Sequence, residues 1–413
     1  MNNSETFNTQ NSNLTTTRPP NNLNQNSMTN RISSGVQDSV KNLKTSMENI
    51  FNSLKGESTS EPKKSKSNYS IFVMLFIISA FILLLYFISN QFRTYKAVTR
   101  MKMYQNYQSI RSFRHTRNNI EEVNQTTIAS SYNSLNVGGQ IFDYLNLKVL
   151  GAVLKSGARY LEFEIFNNQF GDEAYPVVSV GHKIGEWKLT FNVVLFENVC
   201  EFIAENAFSV LDGEKGVPNP NDPLFIGLNL KTNGNIKCLN LINDYILKYW
   251  SDHLLGPDFM NQEGNIAKLK YNKLRDKIIL FSSNGFSNSN LGELINARWI
   301  SPTDINKPEN NNLNTILVRI PSTELINFDF DKLKTYNQGD NRLTIIVPHD
   351  EYENGKNTSE FRNIFSSNLS IELYRKCQEA KCHFICMNYQ NLDNTMDEYI
   401  SYFKNASIKK TVN

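Results

Sequence analysis

The sequence predicts a (β/α)8 barrel of the TIM type, preceded by a single transmembrane helix and a polar N-terminal tail. Three observations carry that reading. Composition changes abruptly along the 413 residues. One long apolar run lacks any charge, and beyond it short apolar runs alternate with segments of helical period.

The first segment, residues 1–66, is read as a disordered tail. Residues 1–30 hold ten Asn among Ser and Thr, with Pro19-Pro20 and almost no aromatic or branched apolar side chains. Such a stretch buries too little apolar surface to offset its ordering entropy. Within the tail, Val36, Val40, Leu43, Met47, Ile50 and Leu54 recur at helical spacing. That pattern suits either a short amphipathic helix on a membrane or partner surface or a fraying segment.

Residues 67–92 form the expected transmembrane helix. No charged residue lies between Lys66 and Arg93, and Ile71–Ile88 is almost wholly apolar. An α-helix of that length crosses a hydrocarbon core while satisfying its own backbone hydrogen bonds. About seventy residues precede the run, which argues against a cleaved signal peptide. Residues 93–120 are read as a basic juxtamembrane linker. Arg93, Lys96, Arg100, Lys102, Arg111, Arg114 and Arg117 outnumber Lys55, Lys63, Lys64 and Lys66 on the other flank. The positive-inside rule therefore puts the C-terminal domain on the cytoplasmic side. The same cations suit a helix held to anionic headgroups as well as a solvated linker.

The formal charge of +3 is too small to imply a nucleic-acid partner, and no basic stripe with interleaved aromatics occurs in the folded region. The five cysteines, Cys200, Cys238, Cys377, Cys382 and Cys386, are odd in number and fall largely on apolar positions. Buried thiols in a reducing compartment fit that pattern better than a disulfide framework. Cys382 and Cys386 lack the paired spacing of a zinc site.

Residues 121–408 carry the barrel. Expected strands are one near Ile128, then Tyr160–Ile165, Pro176–Val180, Leu224–Leu230, Lys277–Phe281, Thr315–Ile320, Leu343–Val347 and His383–Met387. Between them Phe196, Val199, Cys200 and Ile203 line one helix face. Cys238, Leu241, Ile242, Tyr245, Ile246 and Tyr249 line another. Roughly eight strands in about 290 residues favour a closed barrel over an open sheet, with chemistry on the C-terminal strand ends. The Asn-rich stretch Pro308–Asn314 becomes a loop between the two halves.

Ile128-Ala-Ser-Ser-Tyr-Asn-Ser-Leu, Gly157-Ala-Arg-Tyr-Leu-Glu-Phe-Glu, Pro176-Val-Val-Ser-Val-Gly-His-Lys, Pro223-Leu-Phe-Ile-Gly-Leu-Asn and Leu274-Arg-Asp-Lys-Ile-Ile-Leu follow one another in order. Together they resemble the X region of phosphatidylinositol-specific phospholipase C. Ser366-Ser-Asn and Cys382-His-Phe-Ile-Cys-Met-Asn-Tyr-Gln resemble the end of its Y region. The resemblance covers about residues 126–405 and implies a phosphoric diester hydrolase barrel.

What the resemblance implies about catalysis is a loss. Two histidines serve the family, one as general base toward the inositol 2-hydroxyl and one as stabiliser of the phosphate and leaving group. By position they fall at Tyr132 and Val180. Valine moves no proton, and a tyrosine with an ordinary pKa near 10 is a poor base at neutral pH. His182, two residues beyond Val180, is a candidate surrogate or else a structural histidine. The family's Ca²⁺ ligands correspond to Asn133, Glu162, Glu164 and Asn229, the last replacing a Glu. Losing that carboxylate weakens any Ca²⁺ site. The other reading pairs Glu162 and Glu164 with barrel lysines or arginines. The family's phosphate-binding lysines correspond to Phe281 and Ser283, Leu369 replaces an aromatic, and Arg362 lies one residue out of register with a substrate arginine.

Two functions follow. In the first, a membrane-tethered barrel that has lost catalysis works as a binding or scaffold module, its partners being membrane lipid and phosphoinositide or other anionic headgroups. In the second, an altered phosphodiesterase works through a metal held by Asn133, Glu162 and Glu164. A glycerophosphodiesterase-like enzyme shares the barrel and the Glu-x-Glu strand, but the two C-terminal segments argue against it.

Overall fold

The computed structural model describes residues 45, 66–113, 121–139, 142–169, 173–181, 187–213, 215–305, 307–310, 312–348 and 368–411. The polar tail and the spaced apolar residues Val36–Leu54 lie outside the described residues. Two compact units divide the chain, Met1–Ala80 and Phe81–Asn413.

One helix, α1 (Lys66–Tyr107), runs through the apolar stretch and continues into the basic stretch. In the first unit its side chains from Ile71 onward are exposed and, Ser79 apart, apolar. Within the second unit its character changes. Phe81–Ile88 remains mostly exposed, whereas Thr94, Ala97, Met101 and Tyr104 are buried. Their spacing of three and four residues is one face of a helix, and that face packs into the main core.

The rest of the second unit is built around one sheet. Its strands are β1 (Thr126–Ser131), β2 (Tyr160–Asn167), β3 (Pro176–Ser179), β4 (Val194–Leu195), β5 (Leu224–Lys231), β6 (Ile278–Ser282), β7 (Ala297–Ile300), β8 (Ile316–Pro321), β9 (Arg342–Val347), β10 (Phe384–Met387) and β11 (Ile408–Lys410). Helices follow in the order α2 (Leu147–Lys155), α3 (Phe196–Asn206), α4 (Ile236–Trp250), α5 (Leu291–Leu294), α6 (Ser322–Leu325), α7 (Phe330–Asn337), α8 (Ile371–Glu379) and α9 (Asn394–Tyr402). Asn146, Asn235, Asp329, Ser370 and Asp393 cap α2, α4, α7, α8 and α9 by accepting backbone N–H bonds. Each such cap contributes about 1 kcal/mol.

Strands β1, β2, β5, β6, β7, β8, β9 and β10 pair in parallel and close, Ser130 opposite Tyr160 and Ile128 opposite Phe384. This is the expected closed barrel. Two strand assignments differ from the sequence reading. Pro176–Ser179 is not a stave: β3 runs antiparallel to the upper half of β2, with Ser179 opposite Glu164. The remaining stave is β7, Ala297-Arg-Trp-Ile300, between β6 and β8. Its four residues, with Arg298 among them, are too short and too polar to stand out as a buried strand. The Asn-rich stretch joins β7 to β8.

Alternation along the staves sorts the side chains. Ile128, Tyr160, Phe225, Ile279, Phe281, Leu317, Leu343, Ile345 and Phe384 fill the interior. Leu161, Phe163, Ile226, Leu228, Leu280, Val318, Ile346 and Ile385 face outward onto the helices. Parallel staves buried on both faces read as near-continuous apolar runs, so a charge within one signals a special position. Helix α3 buries Phe196, Val199, Cys200 and Ile203 as its spacing predicts. Helix α4 buries Cys238, Leu239, Ile242, Ile246 and Trp250, while Leu241, Tyr245 and Tyr249 are only partly covered. All five cysteines are buried and unbridged.

Candidate functional site

The mouth of the barrel lies at the C-terminal ends of the staves, where the interior row of β2 becomes charged. Glu162 and Glu164 share the interior face with Tyr160, two and four residues apart. Both carboxylates are buried, so each requires partners inside the protein.

Glu162 takes them from two directions. Its Oε1 accepts from Arg319 Nη2 on β8 at 2.8 Å, and its Oε2 accepts from the Tyr160 hydroxyl at 2.9 Å. Burial, reinforced by the Glu162 charge, pushes the Tyr160 phenol well above its ordinary range, so it stays a donor. The Tyr160 ring reaches this position because Gly227 on the neighbouring stave has no side chain. A Cβ there would sit 2.3 Å from the Tyr160 hydroxyl. Arg319 in turn lies over the Trp299 ring, 5.7 Å from its centroid.

Glu164 is enclosed by three donors. Oε2 accepts from Lys231 Nζ at 2.8 Å and from the Gly181 backbone N–H at 3.1 Å, while Oε1 accepts from Asn133 Nδ2 at 3.3 Å. Lys231 also donates to the Gly181 carbonyl at 3.1 Å. Asn133 occupies the left-handed region, φ 41°, which asparagine tolerates better than most residues. Beside a carboxylate its amide presents nitrogen rather than oxygen. Two carboxylates and two cations thus form a buried, charge-balanced set, with a chain donor on every carboxylate oxygen.

The remaining residues singled out in the sequence are placed as follows. Tyr132 is buried just beyond β1 and its ring belongs to the interior cluster. Val180 is buried just beyond β3. Asn229 is buried on β5, paired in register with Glu164. Phe281 sits among Phe225 and Phe384, with ring centroids 5.8 and 5.6 Å away. Ser283 Oγ accepts the Leu230 backbone N–H at 2.8 Å, tying β5 to the residue beyond β6. Leu369 is buried in the outer core. His182 and Arg362 lie outside the described residues.

Lys231 and Arg319 were not among the sequence-derived candidates. Each carried a signal: Lys231 shares the parity of Asn229 on one strand, and Arg319 interrupts an apolar run that otherwise reads as a buried stave. Arg319 meets Glu162 only across the closed barrel and Lys231 meets Glu164 only through the pairing of β5 with β2, and no local pattern reveals either.

Comparison with known proteins gives a match over part of the chain. Residues 121–284 match "Phosphatidylinositol-specific phospholipase C, X domain". Among solved structures, the chain is similar to PLC21 of S. officinalis, with a TM-score of 0.55 and 18% identity over 72% of this chain. It is also similar to PLC21 of L. pealei, with a TM-score of 0.53 and 17% identity over 70% of this chain. At those identities the likeness is one of fold. The chain spans only 38% and 37% of the length of those two proteins. No curated protein sequence matches it.

Proposed function

We propose, for a chain that carries a phosphatidylinositol-specific phospholipase C X domain at residues 121–284, a membrane-anchored barrel without phosphodiesterase activity that serves as a binding or scaffold module on the membrane surface. The observation that carries this reading is the closed charge set at the mouth. General acid–base chemistry needs a side chain that exchanges protons near neutral pH, within reach of substrate. Here the family's histidine positions correspond to Tyr132 and Val180, and the two carboxylates are engaged by Arg319, Tyr160, Lys231, Gly181 and Asn133.

These residues do not fit a resident Ca²⁺. The ion takes six to eight oxygen ligands at 2.3–2.6 Å. At Glu162 and Glu164 it would meet a guanidinium, an ammonium and an amide nitrogen already bonded to the oxygens it needs. Replacing those contacts would expose two buried cations to a third charge of the same sign.

Anchoring rests on α1. The window of its apolar run has a mean hydropathy of 3.0 and none of it is buried, which is the expectation for a helix in lipid rather than for a core helix. The basic residues after the run and the buried, unbridged thiols support a cytoplasmic barrel.

Two measurements test the proposal. Alkaline carbonate should leave the full-length chain in the membrane pellet; release into the supernatant overturns the anchor. Thermal unfolding of the detergent-solubilised chain should give the same midpoint with Ca²⁺ and with chelator. A Ca²⁺-dependent rise, lost in Glu162→Gln, would instead favour a metal-dependent phosphodiesterase, because a ligand that binds only the folded state stabilises it.

A further inference from the structure

Helix α1 crosses the side of the barrel in a definite direction. At its upper end, Tyr86 packs edge-on against Tyr144 at 5.3 Å between centroids, and Tyr144 packs on Phe191 at 5.3 Å. The Tyr86 hydroxyl donates to the Phe191 carbonyl at 3.3 Å. Arg93 makes an ion pair with Asp143, whose side chain is buried and also accepts the Gly139 and Tyr144 backbone N–H groups. Tyr144 and Phe191 stand on the loops beyond β1 and β3, the loops that bring Asn133 and Gly181 to Glu164. This end of α1 is therefore level with the mouth.

At its lower end the helix meets the opposite face. Gln105 donates to the Ala152 carbonyl at 3.1 Å, near the end of α2. Beyond the helix, Ile110 lies against Gly157, in the turn that enters β2 from below. Gly157 has φ +88°, and a Cβ there would meet Ile110 Cδ1 at 2.3 Å, so this contact requires glycine. From Tyr86 to Gln105 an α-helix rises about 28 Å, enough to pass the barrel from mouth to base. Between the two ends Thr94, Ala97, Met101 and Tyr104 seal it to the core.

An exposed apolar patch lies at the mouth end. Phe81–Leu85, Phe87 and Ile88 project exposed from the helix, and Phe142, Trp187 and Phe191 on the mouth loops are about half exposed. At the base, Lys273 and Arg275 are exposed, as are Val210 and Leu211. Phe142 and Phe191 are bound into one unit by backbone bonds, Phe142 N–H to the Leu189 carbonyl and Phe191 N–H to the Asp143 carbonyl. Trp187, an aromatic with one polar edge, favours the lipid–water boundary, Phe142 and Phe191 add apolar area to bury beside it, and the cations Arg93 and Lys96 follow the apolar run where anionic headgroups begin.

We infer that residues 86–110 form a rigid strut that holds the barrel mouth-first against the bilayer in which the apolar run is embedded, with Phe142, Trp187 and Phe191 seated in its interface. The inference rests on the proposed membrane anchor. It adds an orientation fixed by protein packing rather than by lipid affinity, so the mouth stays on the membrane without any soluble signal. The occupant of the aromatic rim is the lipid surface itself, because the rim adjoins the apolar helix through Tyr86, Tyr144 and Phe191.

Spin labels on single introduced cysteines test it in the full-length chain reconstituted into nanodiscs of phosphatidylcholine with phosphatidylserine. The five native thiols are buried, so labels go to Leu84→Cys, Phe142→Cys, Trp187→Cys and Lys273→Cys. The expected result places Leu84 in the hydrocarbon and Phe142 and Trp187 at the interface, with oxygen-to-nickel-chelate collision ratios several-fold above that of Lys273. Leu84 in lipid with both rim labels as aqueous as Lys273 would overturn the strut alone. Leu84 in water would overturn the anchor, and the strut with it. Arg93→Glu, which opposes Asp143 with a like charge, should return the rim labels toward the Lys273 value while Leu84 stays in lipid and the unfolding midpoint confirms the fold. Unchanged rim depths in that folded variant would overturn the role of the strut.

Discussion

Lys231 Nζ stands 2.8 Å from Glu164 Oε2 with both side chains buried, and the same ammonium bonds the carbonyl of Gly181, whose N–H bonds the same carboxylate oxygen. The lysine therefore does more than neutralise a charge. It closes a ring that fixes Gly181, just beyond β3, beside the carboxylate. Such a pair stabilises little relative to an apolar substitute, but removing one partner strands the other charge in a dry interior.

Lys231→Met should accordingly lower stability by about 3–5 kcal/mol. The companion change Glu164→Gln in the same chain should recover part of that loss, since the two residues are directly coupled. Urea unfolding of the two single variants and the double variant checks both statements. Additive losses would show that the pair is not the unit described.

Tyr160 and Gly227 form a second coupled pair. Gly227→Ala should cost about 1–3 kcal/mol by overpacking, because its Cβ would fall 2.3 Å from the Tyr160 hydroxyl and 3.0 Å from Cζ. In a Tyr160→Phe background the same substitution should cost less. Tyr160→Phe alone loses one bond to Glu162 and should cost about 1–2 kcal/mol. Equal costs of the alanine in both backgrounds would contradict the geometry.

His383 makes stability pH-dependent. Its Nδ1 accepts the Thr344 backbone N–H at 3.1 Å and its Nε2 lies 3.1 Å from the Asn124 carbonyl, so the buried ring is neutral. Burial lowers its pKa to about 4, against about 6.5 in an unfolded chain. Between those values the unfolded state binds more protons, so stability is full above pH 6.5 and falls as pH drops toward 4. The loss is on the order of 3 kcal/mol. The stability of His383→Gln should be flatter over that window, as measured by urea midpoints from pH 7 to pH 4. Parallel profiles would contradict this assignment.

The five thiols should resist alkylation in the native state at pH 8 and react together on unfolding. Burial raises the Cys200, Cys377 and Cys386 pKa values well above the usual range and that of Cys238 to about 12. A thiol reagent with absorbance readout checks this; rapid native labelling would contradict the packing of the staves and helices.

The barrel was legible in the sequence because each buried stave is a local apolar run and each amphipathic helix repeats at its own period. Tyr160–Asn167 and Leu224–Lys231 stand out for that reason. Ala297–Ile300 did not, being four residues with a charge inside. Pro176–Ser179 reads like a stave because a short apolar run does not encode its direction, and only tertiary pairing makes it antiparallel to β2. At the site, the shared face of Glu162 and Glu164 followed from alternation. Arg319 and Lys231 did not follow as their partners, since Arg319, 157 positions from Glu162 in sequence, meets it only across the closed barrel, and Lys231 reaches Glu164 only through the tertiary pairing of β5 with β2.

The proposed function requires that the mouth perform no phosphodiester hydrolysis. The most direct measurement is release of water-soluble inositol phosphate from phosphatidylinositol vesicles by the full-length chain, with Ca²⁺ and with chelator, compared with Glu162→Gln. No release above the protein-free control in any sample is the predicted result. Ca²⁺-dependent release by the unmodified chain, abolished in Glu162→Gln, would contradict it.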